Sequence, residues 1–148
     1  MRRMLASLVL LLAAFDASAQ LANGTWLKRG AHQGMLMVVD NTGGVLRLTY
    51  RLQNPPKDAP PFLMTLESKL DGTDAPVIVN GKPSGETMAI TRVDERHTTT
   101  VLKMNGAVFG KSESELSADA KVITVHNTIT GTAMAGQPGS SVEYWDRQ

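Results

Sequence analysis

The feature that most limits how this chain can fold is a polar–apolar alternation with a period of two residues. In the stretch 45–52 four apolar side chains share one face and both arginines take the other, and in 62–70 four apolar side chains likewise lie opposite Thr65, Glu67 and Lys69. A period of two fits a β-strand with one dry face and one wet face, whereas a helix would scatter the same residues around its axis. The two apolar faces consist of Leu46, Leu48, Tyr50, Leu52, Phe62, Met64, Leu66 and Leu70.

Turn residues separate the strand candidates. Asn-Gly at 105–106 lies between 98–104 and 107–115, and this dipeptide is the strongest short signal for a hairpin. Asn-Gly at 80–81 and Asp-Gly at 71–72 predict further reversals, and 41–44 joins 35–39 to 45–52. Four of the seven prolines fall in 53–61, which predicts a loop that cannot join a ladder.

These patterns predict an all-β fold. Nine or ten strand candidates follow one another through short links, and no amphipathic helix interrupts them. Short consecutive links favour pairing between neighbours, which gives an antiparallel up-and-down barrel of roughly 8–10 strands. A two-sheet sandwich is the alternative.

The first nineteen residues are predicted to be a cleavable signal peptide. Arg2 and Arg3 precede an apolar run at 5–15, and Ala-Ser-Ala at 17–19 offers a cleavage site before Gln20. The run is shorter than the roughly 20 residues that cross a bilayer, so no membrane insertion is expected after cleavage. Residues 20–148 are then a single domain, exported to the periplasm or the medium.

Composition excludes several kinds of site and partner. The chain has no cysteine, which excludes disulfides, thiolate metal sites and a cysteine nucleophile. Of the 15 Lys+Arg and 14 Asp+Glu, 13 of each remain outside the signal peptide. With no basic run or stripe, neither a nucleic acid nor an anionic membrane surface is an expected partner.

The mature amino terminus contains the first of a series of motifs that resemble a known family. Gly24-Thr25-Trp26 has the form Gly-x-Trp. An ordered series of motifs follows it: Val-Asn-Gly-Lys-Pro (79–83), Thr-Met-Ala-Ile-Thr-Arg-Val-Asp (87–94), Lys-Met-Asn-Gly (103–106), Leu-Ser-Ala-Asp-Ala-Lys-Val-Ile-Thr (116–124) and Val-Glu-Tyr (142–144). Together they resemble small secreted bacterial lipocalin-like (calycin-type) β-barrel proteins, a family of largely uncharacterised function. The resemblance covers most of the chain after Gly24 and implies a barrel that binds a ligand.

The chain departs from that pattern in three places. Ala120 stands where a turn glycine is usual, the middle lipocalin motif is missing, and no clear counterpart exists for the late-strand arginine that covers the tryptophan. In such a barrel Trp26 is expected to plug the closed end by packing, because a buried tryptophan mainly supplies apolar area. The resemblance carries no catalytic residue.

The apolar strand faces are the candidate ligand site. If they point inward they either fill the barrel or line a cavity, and a barrel of about eight strands is wide enough for both outcomes. Methionines among them would adapt to varied apolar ligands. The candidate cavity-lining residues are Leu48, Tyr50, Phe62, Met64, Leu66, Met88, Ile90, Leu102 and Met104.

One local cluster could hold a metal. His32, Met35 and Met37 combine an imidazole with two thioethers, a donor set that suits Cu(I). On a strand, Met35 and Met37 would share a face. The alternative is that both methionines are core residues and that His32 lies in a loop.

No catalytic motif appears. Ser112 and Ser114 have no nucleophile-elbow context, His97 reads as a turn residue, and His126 falls on a wet strand face. The sequence therefore predicts a protein that is not an enzyme and uses no cofactor, with a small apolar or amphipathic ligand inside the barrel. Two alternatives stay open: a filled barrel that acts as an envelope or extracellular interaction module, and a Cu(I)-handling periplasmic protein. The sequence identifies no protein partner.

Overall fold

Each strand pairs antiparallel with the next strand in sequence, and the first strand also pairs with the last. The computed structural model describes residues 21–131 and 138–148, in which ten strands close one barrel. The strands are β1 (Gly24–Lys28), β2 (Met35–Thr42), β3 (Val45–Leu52), β4 (Leu63–Ser68), β5 (Asp71–Val79), β6 (Lys82–Arg92), β7 (His97–Met104), β8 (Ala107–Leu116), β9 (Val122–Ile129) and β10 (Gly139–Arg147).

The predicted all-β up-and-down barrel is confirmed, and the sandwich alternative is wrong. Ten strands is the upper end of the predicted range. The predicted signal peptide, 1–19, lies outside the described residues. Within 21–131 and 138–148 there is no helix of the length and apolarity needed to cross a membrane.

Two asparagine–glycine turns set the register of their hairpins. Asn80 and Gly81 join β5 to β6, and Asn105 and Gly106 join β7 to β8. All four residues have positive φ, from 48° to 86°. Two consecutive positive φ values define the type I′ turn, whose twist matches that of the flanking strands. Both predicted reversals are confirmed.

The reversal predicted at Asp71 and Gly72 is wrong in position. The chain turns at Lys69 and Leu70, with Leu70 at φ 60°, and Asp71 is already the first residue of β5. Gly72 has φ 84° at a place where the ladder to β6 shifts register before Asp74. Glycine occurs at strand irregularities as well as in turns. The Asp-Gly pair at this position therefore marks an irregularity inside β5 and not a reversal.

The alternating links give the barrel two ends. The Trp26 end carries the links β2–β3, β4–β5, β6–β7 and β8–β9, together with the start of β1. The opposite end carries the links β1–β2, β3–β4, β5–β6 and β7–β8, together with the end of β9 and the start of β10. The proline-rich segment 53–61 is the exposed β3–β4 link at the opposite end, outside any ladder as predicted.

Trp26 packs inside its end of the barrel. Its side chain is 0% exposed, its indole N–H donates to the Ala22 carbonyl at 2.9 Å, and it belongs to the main apolar core. The guanidinium of Arg147, at the end of β10, lies 4.3 Å above the indole ring. The expectation that no arginine covers this tryptophan is therefore wrong, because Arg147 does so.

Ala120 takes a backbone conformation that glycine adopts more easily. It lies in the β8–β9 link with φ 57°, in the left-handed region where the resemblance expects a glycine. A Cβ in that region costs roughly 1–2 kcal/mol. The turn therefore keeps its shape in spite of the substitution.

Candidate functional site

The barrel is hollow. A cavity of about 550 Å³ runs through its interior and is lined by residues from all strands except β5, with Leu70 of the β4–β5 link also contributing. A ten-stranded barrel is wider than an eight-stranded one, whose side chains can just fill the interior, so unfilled space follows from the strand number. The volume lies within the range of about 300–1,000 Å³ typical of small-molecule sites.

Most of the predicted lining residues lie along this cavity. Seven of the nine do so: Leu48, Tyr50, Phe62, Met64, Met88, Ile90 and Leu102. Leu66 is instead packed into the apolar core, where it is 2% exposed. Met104 is the last residue of β7, next to the turn, and does not line the cavity.

The three predicted metal ligands are not all on the cavity. Met35 and Met37 share the inward face of β2 and line the cavity, whereas His32 is exposed on the β1–β2 link. No group of three or more His, Asp or Glu residues is placed to hold a metal ion in the part of the chain that the structure describes.

A polar wall of the cavity was not predicted from the sequence. Five uncharged polar residues on three neighbouring strands face inward and line the cavity: Thr98, Thr100, Ser112, Ser114 and Asn127. We call this set the polar stripe. The signal was present in β8, whose sequence Lys-Ser-Glu-Ser-Glu at 111–115 is polar on both faces. In a closed barrel one of those faces must point inward.

Strand register holds the polar stripe together. Thr98 lies opposite Ser114 and Thr100 opposite Ser112, while Ser112 also lies opposite Asn127. The Thr98 and Ser114 hydroxyl oxygens are 2.5 Å apart, and the Ser112 hydroxyl donates to Asn127 Oδ1 at 2.5 Å. Both serines thus bond to uncharged neighbours, and neither bonds to a base that would activate it as a nucleophile.

An ion pair continues the polar wall onto β10 and β1. Lys28 Nζ lies 2.8 Å from Glu143 Oε1, and both side chains are about two-thirds buried. The ammonium is also 5.9 Å from the ring centroid of Trp145, which meets Tyr50 edge-on at 5.9 Å. The pair neutralises its own charge, so this part of the wall is polar without a net charge.

Glu86 is a carboxylate of the lining without an ion-pair partner among the described residues. It projects from β6, is half-buried, and its side chain has no hydrogen-bond or ion-pair partner among residues 21–131 and 138–148. Burial raises the pKa of its carboxyl group. Burial also raises the pKa of the Tyr50 hydroxyl, and the charges of Glu143 and Glu86 raise it further.

His97 contacts two carboxylates at the rim of the Trp26 end. It is the first residue of β7, and its Nδ1 lies 2.7 Å from Asp94 Oδ1, while its Nε2 lies 3.4 Å from Glu115 Oε1. The hydrogen bond to Asp94 raises the pKa of His97. The backbone N–H of Arg96 and the imidazole of His97 lower the pKa of Asp94 in turn.

A β-bulge turns one aromatic ring inward. The ladder between β7 and β8 shifts register between Leu102 and Lys103, so that Leu102 pairs with Gly110 and Lys103 with Val108. Phe109 is the extra residue, and it is 5% exposed and lines the cavity. Strict alternation would have put Phe109 outside, so a period of two does not predict it as a lining residue.

No protein-family model, curated protein or solved structure matches this chain.

Proposed function

We propose that this chain is an exported binding protein that carries a small apolar or amphipathic ligand inside its barrel. The observation that supports the proposal is the cavity of about 550 Å³ with methionine, leucine and aromatic side chains along its wall. Cavities of this size and lining are where proteins hold small molecules.

The energetic cost of hollowness supports the same proposal. Protein interiors pack as densely as organic crystals, and each unfilled volume lowers stability. A barrel that acted only through its outer surface would be more stable with larger side chains at positions such as Met64 and Leu48. Retention of space at these positions favours a ligand that occupies it.

The expected affinity is modest. Burial of roughly 300 Å² of apolar ligand surface is worth about 7 kcal/mol at ~25 cal/mol per Å². Loss of translational and rotational freedom costs several kcal/mol of this. Because about 7 kcal/mol alone corresponds to a dissociation constant of roughly 10 µM, the affinity after these costs is micromolar at best, which suits a carrier that must also release its ligand.

Export belongs to the proposal because of the amino-terminal sequence. Arg2 and Arg3, the apolar run 5–15 and the small residues at 17–19 have the order of a secretory signal. The absence of cysteine is compatible with an oxidising compartment, since no thiol can mispair there.

A cavity-filling variant tests ligand binding. Met64 lines the cavity, whereas its neighbour Leu63 is 42% exposed on the outside of the same strand. Met64→Trp is expected to weaken binding of the neutral fluorophore N-phenylnaphthylamine at least ten-fold, because the indole occupies part of the cavity in which the fluorophore would bind. Leu63→Trp is the matched control and leaves binding unchanged. Equal binding by both variants, or no binding by the parent protein, would refute an interior site.

Native mass spectrometry identifies the natural occupant. The protein is purified from a host that exports it, and its mass is compared before and after denaturation. An adduct of a few hundred daltons that is lost on denaturation supports the proposal. A mass excess of one copper would instead favour Cu(I) handling by Met35 and Met37, and a bare polypeptide mass in several hosts would favour a barrel that acts through its surface.

A further inference from the structure

The cavity has two chemically different walls. The polar stripe lies on β7, β8 and β9 among apolar lining residues of the same strands such as Leu102 and Val125, and the Lys28–Glu143 pair adds polar groups on β10 and β1. In the ring of ten strands β8 lies five places from β3 and is therefore opposite to it. The wall around β3 is mostly apolar, with Asn41 and the Tyr50 hydroxyl as its polar groups, and its apolar residues are Met35, Met37, Val39, Leu46, Leu48 and Met64.

The polar stripe has unused hydrogen-bonding capacity. Within residues 21–131 and 138–148, nothing accepts a hydrogen bond from the Asn127 amide nitrogen, and the Thr100 hydroxyl has no partner. Polar groups inside a folded protein are nearly always hydrogen-bonded, so such groups imply water or a ligand beside them. Hydroxyl and amide groups both donate and accept, which suits hydroxyl or carbonyl groups of a ligand.

The stripe also has a defined spacing. Neighbouring strands lie about 4.8 Å apart, and residues two apart on one strand are separated by roughly 6.8 Å. Thr100, Ser112 and Asn127 lie in register across three strands, and Thr98 and Ser114 form a second row beside them. Ligand groups roughly 5–7 Å apart along one edge would match this pattern.

We infer that the ligand is facially amphipathic, with uncharged hydroxyl or carbonyl groups along the edge that contacts the polar stripe and hydrocarbon along the opposite edge. The inference rests on the proposed function and specifies its ligand class. A simple alkyl chain with a single polar head would satisfy the apolar wall and leave the stripe unpaired. A site that is built to bond hydroxyl groups discriminates strongly against ligands that lack them.

Two neutral steroid esters test the inference. Methyl cholate carries three hydroxyl groups on one face of a rigid skeleton, and methyl cholanate has the same skeleton with none. Each is titrated against protein loaded with N-phenylnaphthylamine. Methyl cholate is expected to bind at least ten-fold more tightly than methyl cholanate, as judged from the concentration of each ester that displaces half of the fluorophore.

A triple variant assigns this preference to the stripe. Thr100→Val, Ser112→Ala and Asn127→Leu together remove the in-register polar row and are expected to abolish the preference for methyl cholate, while N-phenylnaphthylamine still binds. The control carries Thr99→Val, Glu113→Ala and His126→Leu, three exposed residues that form the same row on the outer face of the same strands. It keeps the parent preference.

The outcomes separate the two proposals. Failure of all three probes to bind the parent protein overturns the proposed function. If the fluorophore and both esters bind without a hydroxyl preference, interior binding stands, water satisfies the stripe, and the ligand class inferred here is wrong. If the triple variant does not fold, the nearly isosteric Thr100→Val alone is measured. It is then expected to reduce the preference several-fold, and an unchanged preference overturns the inference.

Discussion

Replacement of Arg147 tests how much this side chain stabilises the Trp26 end of the barrel. The guanidinium lies 4.3 Å above the Trp26 ring and donates to three carbonyl groups, two just before β1 and one in the β8–β9 link. The distances are 2.6 Å from Nε to Ala120 O, 2.7 Å from Nη1 to Asn23 O and 2.5 Å from Nη2 to Leu21 O. One side chain therefore ties the start of β1 to the β8–β9 link.

The contacts give an estimate of what Arg147→Met removes. The bonds to Ala120 and Asn23 are partly buried, and after competition from water each is worth about 1 kcal/mol. The exposed bond to Leu21 contributes little, since water replaces it. The cation–π contact adds about 1 kcal/mol. We expect a loss of about 3 kcal/mol in the free energy of unfolding.

Urea unfolding followed by circular dichroism measures this loss without relying on the fluorescence of Trp26. At a slope of roughly 1.5 kcal/mol per molar urea, the midpoint falls by about 2 M. Arg147→Lys should recover only part of the loss, because an ammonium lacks the planar fork that reaches separate acceptors.

The control is Arg47→Met, which removes a single exposed ion pair with Glu67 at 3.0 Å. Its midpoint is expected to stay within the equivalent of about 0.5 kcal/mol. Equal shifts for Arg147→Met and Arg47→Met would refute the claim that Arg147 holds this end of the barrel.

Three further changes probe the turn, the cavity and the rim. Ala120→Gly is expected to raise the urea midpoint by the equivalent of about 1 kcal/mol, because it relieves a Cβ at φ 57°. Glu86→Gln is expected to stabilise the empty protein at pH 7 by less than about 1 kcal/mol, because burial raises the pKa of Glu86 and the charged form is therefore disfavoured. That gain should fade as the pH falls toward 4. His97→Gln is expected to destabilise at pH 5–6 and to have little effect at pH 8. The pKa of His97 is raised in the folded state, so its stabilisation is complete below the unfolded pKa and is lost as the pH rises through the folded pKa.

Each of these measurements has a result that would contradict it. An unchanged or lower midpoint for Ala120→Gly would mean that the added freedom of glycine in the unfolded chain outweighs the relief. A pH-independent effect of Glu86→Gln would rule out the raised pKa as its cause. For His97, the control is His126→Gln, because His126 is exposed on the outer face. If the two variants show the same dependence of stability on pH, the contact with Asp94 is not the cause of the effect at His97.

Sequence alternation predicted the barrel and most of its apolar lining because each depends on local rules. The period of two assigned Leu48, Tyr50 and Met64 to one face, and that face points inward. The two Asn-Gly turns fixed the hairpins that make neighbour pairing inevitable. Nothing non-local was needed for this part of the fold.

The polar stripe, the position of Phe109 and the contact of Arg147 could not be predicted from local sequence. They depend on which face of a polar strand points inward, on where a ladder shifts register and on pairing between distant segments. The sequence did not identify Ser112 and Ser114 as lining residues, because barrel closure and not the local pattern puts them inside. The bulge at Phe109 reverses the inside–outside order over one residue. Arg147 covers Trp26 across more than a hundred residues of sequence, a separation that no local motif reports.

The pairing of the first strand with the last also sets how the chain folds. Trp26 lies opposite Arg147, about 120 residues away, whereas every other ladder joins sequence neighbours. Neighbouring hairpins form quickly, but the final pairing must bring together distant segments at an entropic cost that grows with their separation. Until then the sheet is open, and β1 and β10 present unpaired edges that can bind another copy. Refolding yield should therefore fall with protein concentration, and the period before closure is when this chain is most prone to aggregate.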